Sequence, residues 1–273
     1  MTITTDAVAL EALKRKQQGI WSSGDYNKIA AVTVPVAETL VETVGIAAGA
    51  RVLDVATGTG HVALAAARQF ARVSALDYVP ALLEVARRRA AAEGLPVALS
   101  EGDAENLPYD DDSFDVVLSA LGVMFTADHA RAAAELVRVT RSGGTIAFAN
   151  WTPEGFIGQL LATVGRHVPP PPVATPPTRW GRPDAVSELL GDAVADVRFE
   201  RHTVTQRFAS PEHFADYFLT YYGPTYMAAR SLPAEGRDAL RADIVELARR
   251  ANESQDSSFT GQWEYLITIA TKR

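Results

Sequence analysis

The sequence predicts an α/β fold in which a doubly wound, mostly parallel β-sheet carries helices on both faces. Short apolar runs with β-branched residues alternate with helical segments between residues 50 and 151, the pattern of a parallel sheet. Three of these runs end in an aspartate, and a glycine turn follows the first. Because the carboxyl ends of parallel strands share one edge, we expect the aspartates to meet there beside a ligand.

Local patterns predict seven strands and the helices between them. Pro80 and Gly94 bound one helix, and Asp128 caps another that the glycines of RSGG are expected to end. The expected strands are 50–56, 71–77, 97–103, 114–120, 145–151, 194–208 and 264–270. The expected helices are 6–20, 28–44, 61–70, 80–94, 128–144 and a short one near 183–190, with two or three more in 211–252.

The positions of these helices predict accessory parts around one sheet domain. Residues 1–44 are expected to form N-terminal helices joined by WSSGDY, which is either a flap with a flexible Gly24 or a plain connection. The sheet domain is expected to cover 45–210 and 258–273. Residues 211–257 are expected to form a helical lid inserted before the last strand.

The composition indicates a globular cytoplasmic protein, either a monomer or a homodimer. The chain has 273 residues, is 47% hydrophobic and carries a net charge of −7, so nucleic acids and anionic membranes are not expected partners. It has no cysteine, which excludes disulfides and thiol catalysis. Its histidines lack metal-ligand spacing, so no metal is expected. No apolar run reaches the roughly 18 residues that a membrane span needs.

The glycine turn VLDVATGTG (52–60) leaves several ligands open, among them a dinucleotide, a phosphate and S-adenosylmethionine. Gly58, Gly60 and Ala63 fit a loose dinucleotide fingerprint. Asp54 argues against a pyrophosphate, because a carboxylate at that strand end would repel phosphates and attract an ammonium group.

Four motifs together resemble the class I S-adenosylmethionine-dependent methyltransferases that act on small molecules such as quinones and natural products. They are VLDVATGTG (52–60), ALDYVP (75–80), EGDAENLPYDDDSFDVVLS (101–119) and ELVRVTRSGG (135–144). The flanking segments WSSGDYNKIA, NWTPEGFIG and YYGPTY resemble one bacterial branch of that family. The resemblance covers residues 45–151 and implies a Rossmann-like, seven-stranded sheet. It also implies S-adenosyl-L-methionine as cofactor and S-adenosyl-L-homocysteine as product.

The resemblance implies cofactor-binding roles along the sheet edge. Asp54 would support the cofactor ammonium, Asp77 would accept both ribose hydroxyls, and Asp103 would accept the adenine amino group. Further expected contacts are Ala56, Gly58 and Gly60 with the methionine part, Tyr78 with adenine, Ala104 with a ring nitrogen, and Ser119 with the sulfonium. Taken singly, each acid is equally compatible with an ordinary strand-end cap or turn.

A general base is needed only where the acceptor must lose a proton, and the sequence offers one candidate. His129 opens the helix after the fourth strand, where a helix start favours the neutral, base-competent imidazole. The alternative for His129 is a surface residue at a helix N-terminus. His61 follows the glycine loop and is either cofactor-facing or a residue of the first helical turn.

Aromatic residues outside the cofactor motifs predict an apolar substrate pocket. Phe214, Tyr217, Phe218 and Tyr221 recur at helical spacing and are expected to form a core stripe of the lid. The substrate-binding candidates are Trp21, Tyr26, Phe125, Trp151, Tyr222 and Tyr226. A closable aromatic pocket suits a fairly apolar small molecule, so the leading hypothesis is methyl transfer to its oxygen, nitrogen or carbon.

Three other functions stay open on the sequence. The first is a rearrangement or cyclisation that uses the cofactor without transferring its methyl group. The second is cofactor binding without catalysis, and the third is a nicotinamide-dependent dehydrogenase. Formation of S-adenosylhomocysteine distinguishes the first from methyl transfer, and calorimetry with both cofactors tests the third.

Overall fold

The computed structural model describes residues 5–273, and its centre is a mixed sheet in the order β3-β2-β1-β4-β5-β7-β6. The strands are β1 (Arg51–Val55), β2 (Arg72–Asp77), β3 (Val97–Glu101), β4 (Phe114–Ala120), β5 (Thr140–Trp151), β6 (Val194–Phe208) and β7 (Phe259–Lys272). Neighbours among β1–β5 run parallel, whereas β7 lies antiparallel between β5 and β6. The predicted α/β fold with a mostly parallel, seven-stranded sheet is therefore confirmed.

Helices cover both faces of the sheet. They are α1 (Thr5–Trp21), α2 (Tyr26–Val44), α3 (His61–Arg68), α4 (Pro80–Glu93), α5 (His129–Val139), α6 (Phe156–His167), α7 (Pro183–Leu190), α8 (Pro211–Tyr221), α9 (Gly223–Ser231) and α10 (Ala234–Arg250). On one face α2 packs against α3 and α8, and α10 joins α8 to α6. On the other face α5 packs against α7. No helix within residues 5–273 is long and apolar enough to cross a bilayer.

The strand and helix boundaries follow from local chemistry. Val52, Leu53 and Val55 of β1 are fully buried, as expected of a parallel strand covered on both faces. α4 begins at Pro80 and ends at Gly94, whose φ of 64° is left-handed. Asp128 caps α5 by accepting a hydrogen bond from the Arg131 backbone N–H at 3.0 Å.

Three places in the chain differ from the sequence prediction, and one is β7, which begins at Phe259 instead of residue 264. α5 ends at Val139, five residues early, because Thr140 pairs with Phe114 of β4 and the segment RSGG forms an irregular start of β5. The glycines of RSGG therefore do not end the helix. α6 was not predicted, although Phe156, Ile157 and Leu160 follow a helical apolar period and all are buried.

The helices between β6 and β7 share the core of the sheet. The ring centroids of Phe214 and Phe218, both in α8, lie 6.1 and 5.7 Å from that of Trp263 in β7. α8 and α10 also contribute to the same buried apolar cluster as the central strands. The division of the chain into 1–44, 45–210 with 258–273, and 211–257 stays a prediction.

The strand order places a crevice at the carboxyl end of β1. β1 lies between β2 and β4, so the chain moves outward from β1 to β3 and then crosses back to β4. Ligands of open α/β sheets bind at this reversal of strand order. The glycine turn follows β1 and ends at α3, so it lies in this crevice.

Candidate active site

The crevice contains a cavity whose ionisable groups are mainly carboxyl groups; we call it the acidic cavity. It encloses about 960 Å³ of space free of atoms, including the part open to solvent. The ends of β1, β2 and β4 form its floor, and α1 and α2 cover it. Its acidic lining residues are Asp54, Asp77, Asp103 and Glu105. The sheet edge thus brings the three predicted aspartates together and adds a glutamate.

Asp54 has one carboxylate oxygen that is buried and unpaired. The residue is 1% exposed, and its Oδ2 accepts hydrogen bonds from the Thr57 hydroxyl and, at 3.0 Å, from the Ala63 backbone N–H. Its Oδ1 has no partner among residues 5–273. Burial raises the pKa of Asp54 to about 7, in spite of these hydrogen bonds. A ligand cation at Oδ1 would satisfy the oxygen and stabilise the carboxylate.

Asp77 ties the end of β2 to the glycine turn. Its Oδ2 accepts the Gly58 backbone N–H at 2.8 Å, and its Oδ1 accepts that of Val79 at 2.9 Å. Burial raises the pKa of Asp77 to about 6. A carboxylate has about four acceptor positions, so each oxygen keeps a free lone pair for a ligand hydroxyl.

Asp103 is held by a lysine from the first helix. Lys14 Nζ lies 2.7 Å from Asp103 Oδ2 and 2.7 Å from Glu105 Oε2. Burial lowers the pKa of Lys14, but hydrogen bonds and the charges of the two acids outweigh it, so the pKa is raised overall. The buried Glu105 also accepts the backbone N–H groups of Ala127 and Asp128. Lys14 therefore holds α1 over the cavity through ion pairs with Asp103 and Glu105.

The backbone of the cavity is conformationally unusual at its centre. Ala56 and Leu121 both line the cavity and have φ near 55°, which is uncommon outside glycine and clusters at functional sites. Gly58, with φ 54°, also lines the cavity, and its N–H binds Asp77. Gly122 lies against Ala56, since a Cβ on Gly122 would come within 2.7 Å of the Ala56 carbonyl oxygen. Backbone atoms of the glycine turn and of the end of β4 therefore lie close to the ligand space and to each other.

A second, smaller cavity continues inward from the acidic one; we call it the aromatic chamber. It encloses about 320 Å³ of space free of atoms, again counting any open part. It shares Trp21, Tyr26, Thr33, Leu121 and Phe125 with the acidic cavity, and the ring centroids of Trp21 and Phe125 lie 4.7 Å apart. Its lining side chains are Trp21, Tyr26, Ile29, Thr33, Leu121, Phe125, Trp151, Ile157, Phe218, Tyr222 and Trp263. The two cavities therefore meet at a set of aromatic rings.

The polar side chains of the chamber include three hydrogen-bond donors, on Trp263, Tyr26 and Tyr222. The Trp263 indole N–H is buried and has no partner among the described residues. Burial, with a smaller contribution from Asp77, raises the pKa of Tyr26 to about 12. Burial also raises the pKa of Tyr222, so both phenols keep their protons at neutral pH. No lining residue of the chamber carries a charge near pH 7.

The structure brings most predicted residues to these cavities. The acidic cavity includes Asp54, Ala56, Gly58, Asp77, Tyr78, Asp103 and Ala104. The chamber includes Trp21, Tyr26, Phe125, Trp151 and Tyr222. Gly60 and Ser119 are exceptions: a Cβ on Gly60 would meet Ala86 of α4 at 3.0 Å, and Gly60 lines neither cavity. The Ser119 hydroxyl donates to the Val55 carbonyl at 2.8 Å and accepts from the Val123 N–H, so it joins strands instead of facing the ligand space.

Two further predicted residues lie away from both cavities. His129 is 3% exposed, and its ring packs edge-on against Trp180, 5.8 Å between centroids, on the α5 face of the sheet. Burial and the nearby Arg179 lower the pKa of His129 to about 4, and neither ring nitrogen has a partner among the described residues. Tyr226 is half-buried beneath Arg230, which lies 5.5 Å from the ring centroid. Neither His129 nor Tyr226 lines either cavity, and their roles as base and substrate contact stay predictions.

Several site residues were missed because no local pattern marks them. Lys14 and Trp263 reach the cavities from elements distant in sequence, whereas Glu105 lies two residues after Asp103 and was missed inside a recognised motif. Phe218 was expected only in the lid core, yet it lines the chamber. Arg89 of α4 donates to the Thr59 carbonyl at 3.2 Å and lies 2.8 Å from Nε2 of His61, which itself lines the acidic cavity. Burial and the charge of Arg89 lower the pKa of His61 to about 4, so His61 is neutral.

The residues present fit a cofactor that combines a cation with a diol. The unpaired Asp54 oxygen calls for a positive partner, and the free lone pairs of Asp77 can accept hydroxyl groups. A pyrophosphate does not fit, because buried carboxylates would face its charges. S-adenosylmethionine has the required ammonium and ribose groups.

Comparison with known proteins agrees with this chemistry. Residues 53–148 match the family model described as a methyltransferase domain. The uncharacterized protein Rv1403c of Mycobacterium tuberculosis is 43% identical over 277 residues, covering all of both chains. The demethylmenaquinone methyltransferase of Deinococcus radiodurans is 40% identical over 124 residues, which is 44% of this chain and 52% of that one.

A solved structure of similar fold carries the product of the expected cofactor. It is phosphoethanolamine N-methyltransferase 2 of Haemonchus contortus, in complex with phosphomonomethylethanolamine and S-adenosylhomocysteine. The match has a TM-score of 0.55 at 17% identity and covers 87% of this chain and 52% of that one. With the family model and the full-length relative, the sheet order and the acid-lined cavity lead to one conclusion. The chain belongs to the class I S-adenosylmethionine-dependent methyltransferases.

Proposed function

We propose that this methyltransferase acts on a fairly apolar small molecule, which it holds in the aromatic chamber for in-line transfer. The observation that carries the proposal is that the acidic cavity and the chamber meet at Trp21, Tyr26 and Phe125. A charged cofactor and an apolar acceptor can thus be held on opposite sides of one aromatic junction. Close alignment of two bound reactants is the main catalytic requirement of such a transfer.

In the acidic cavity we assign the cofactor contacts by chemistry. Asp54 receives the ammonium group at its unpaired oxygen, Asp77 accepts the ribose hydroxyls, and Asp103 accepts the adenine amino group. The backbone of Ala56 and Gly58 lies along the methionine part, with Tyr78 and Ala104 at the adenine end. When bound, S-adenosylmethionine supplies a methyl group that its sulfonium already activates.

The chain's own contribution at the chamber is positioning and exclusion of water. Trp21 contacts Tyr26, Phe125 and Tyr222, with ring centroids 5.4, 4.7 and 5.8 Å apart, and so closes the junction from the α1 side. α1 is itself tied down through Lys14 and through Gln18, whose Nε2 donates to the Tyr78 carbonyl at 2.6 Å. Closure of this kind sequesters reacting groups from solvent.

The proposal includes transfer without a protein base in the chamber. Tyr26 and Tyr222 keep their protons at neutral pH, and His129 lines neither cavity. The acceptor must therefore be nucleophilic as it binds, or bind in its neutral form and lose its proton to solvent before transfer. We expect log kcat/KM for a phenolic acceptor to rise with unit slope up to the acceptor's pKa. A pH series with phenols of different pKa checks this, and a shared plateau near pH 6–7 would indicate a protein base instead.

The demethylmenaquinone methyltransferase among the relatives supports an apolar acceptor, since its name describes a quinone substrate. The direct test incubates the protein with methyl-labelled S-adenosylmethionine and a panel of apolar phenols, amines and quinols. We expect S-adenosylhomocysteine and one labelled product in equal amounts. A changed acceptor without S-adenosylhomocysteine would favour the non-methylating alternative, and cofactor binding without turnover of any acceptor would favour a binding protein.

A further inference from the structure

The aromatic chamber holds a buried donor that nothing in the described chain uses. The Trp263 side chain is 0% exposed, lines the chamber, and leaves its indole N–H without a partner. Buried polar groups are nearly always paired, and an unpaired one lowers stability. A phenylalanine would fill most of the same volume without that penalty. Because Trp263 also lines a cavity, this N–H can be paired by an acceptor that arrives with a ligand.

We propose that the chamber takes a neutral, flat aromatic acceptor bearing an oxygen, and that Trp263 selects this substrate class by donating to the oxygen. The inference concerns only how the acceptor binds; that the bound acceptor is then methylated rests on the proposed function. Trp263 is thus a specificity-determining residue. The oxygen is one that can accept a hydrogen bond, such as a phenol or a quinone carbonyl.

The aromatic lining of the chamber favours a ring system. Trp151 and Trp263 lie with ring centroids 6.1 Å apart, and Phe218 is 5.7 Å from Trp263. Tyr222 continues this lining toward Trp21 at the junction. Aromatic rings arranged edge to face offer both faces and edges to a further ring, which packs there with favourable quadrupole contacts.

The charge of the chamber excludes ionised ligands. No carboxylate, ammonium or guanidinium group is among its lining residues, and burying a charge without a partner is costly. The donors present, Trp263 N–H and the protonated phenols of Tyr26 and Tyr222, all offer hydrogens. A ligand ammonium would bring only further donors and would leave the Trp263 N–H unpaired. A neutral ligand with an acceptor oxygen needs no charged partner and can pair the Trp263 N–H.

The test measures binding of matched two-ring probes by equilibrium dialysis, with the acidic cavity saturated by S-adenosylhomocysteine. The probes are naphthalene, 2-naphthol, 2-naphthoate and 2-naphthylmethylammonium. We expect 2-naphthol to bind tightest, and about three- to tenfold tighter than naphthalene, the effect of one neutral hydrogen bond. Tighter binding of the anion or of the cation than of 2-naphthol would overturn the proposal.

The variants separate the hydrogen bond from packing. Trp263→Phe should abolish the preference for 2-naphthol while naphthalene affinity stays within about twofold. Trp180→Phe is the matched control, because Trp180 is equally buried with an unpartnered N–H but lies outside both cavities. It should keep the preference. Equal weakening of both probes in Trp263→Phe, or loss of the preference in Trp180→Phe, would overturn the role of Trp263.

Calorimetry distinguishes failure of this inference from failure of the proposed function. S-adenosylhomocysteine is titrated into the unmodified protein before any probe. If it binds and 2-naphthol shows no preference over naphthalene, the chamber assignment is wrong and cofactor binding stands. If it does not bind while 2-naphthol does, the cofactor assignment fails and the chamber assignment stands.

Discussion

At the scale of single residues, the central feature is that Asp54 and Asp77 are buried without a cation beside them. Burial raises the pKa of each carboxyl, to about 7 and about 6. The folded protein therefore binds protons more tightly here than the unfolded chain does, and both groups reduce stability as the pH rises from about 4 to about 7. A cationic ligand offsets that loss, which couples binding to stability.

Replacing Asp54 by asparagine should separate these two effects. Asp54→Asn removes the buried charge and keeps an oxygen for the Ala63 N–H, so the free protein should gain stability at pH 8, by on the order of a few kcal/mol. The gain should fade toward pH 4, where the wild-type carboxyl is protonated in both states. Denaturant titrations at several pH values measure it. In the same variant, S-adenosylhomocysteine affinity should fall.

Asp115→Asn is the matched control of opposite sign. Hydrogen bonds from Arg51, together with one from Arg141, hold the pKa of the Asp115 carboxyl well below its usual range. Its stabilising contribution is therefore present at neutral pH and lost only in strong acid, so this variant should lose stability at pH 8 and bind the cofactor normally. If Asp54→Asn also lost stability at pH 8, the buried carboxylate would not be the unfavourable group inferred here.

His129 gives a prediction that tests its removal from the catalytic set. With a pKa lowered to about 4 by burial, it stays neutral when folded but protonates below about 6.5 when unfolded. Wild-type stability should therefore fall as the pH drops from 6.5 to 4, and His129→Leu should flatten that fall. Turnover should stay within about twofold, as expected for a residue remote from the site. A large loss of kcat at unchanged stability would return His129 to the catalytic set.

At the scale of elements, α1 and the turn to α2 decide access to the site. Gly24 in that turn has φ 68°, and the adjacent Asp25 N–H donates to the Tyr221 carbonyl of α8 at 3.2 Å. Tyr217 of α8 donates its hydroxyl to the Lys28 carbonyl at 2.9 Å. Two hydrogen bonds thus hold the turn and the start of α2 against α8. The role of the turn as a flap stays a prediction.

A pair of glycine variants tests this seating. Gly24→Ala would place a Cβ 2.6 Å from the Tyr221 carbonyl oxygen, whereas Gly45→Ala, at a similar φ of 65°, meets nothing within 4 Å. Each should cost about 1–2 kcal/mol for the left-handed backbone. Only Gly24→Ala should also speed hydrogen exchange in α1 and weaken S-adenosylhomocysteine binding. Equal behaviour of the two variants would show that the contact with α8 does not hold α1.

At the scale of the whole molecule, cofactor binding should stabilise the fold as a unit, because the acidic cavity joins α1, α2 and three strand ends. S-adenosylhomocysteine at about 100 times its Kd should add about 2.7 kcal/mol, or a Tm increase of about 5 °C for a chain of this size. Differential scanning fluorimetry measures the shift. NAD⁺ is the control and should give none, because its pyrophosphate would face Asp54 and Asp77. A shift with NAD⁺ alone would contradict the cofactor assignment.

Much of the fold could be predicted because its signals are local. The start of α4 at Pro80, its end at Gly94 and the cap at Asp128 act within one helical turn. Even β6 matches its predicted range of 194–208. The miss at RSGG has a long-range cause, since pairing of Thr140 with Phe114 extends β5 at the expense of α5.

The sequence by itself determined the alternation of strands and helices, the sheet edge where Asp54 and Asp77 end their strands, and the family. Tertiary structure alone decided which side chains meet the ligand space. It placed β7 between β5 and β6, which sets Trp263 beside Trp151; it brought Lys14 onto Asp103 and left His129 on the far face. The reason is physical: strands, turns and caps depend on neighbours a few residues away. A cavity wall is built from contacts between residues up to about two hundred positions apart, such as Trp21 and Tyr222, which no local pattern encodes.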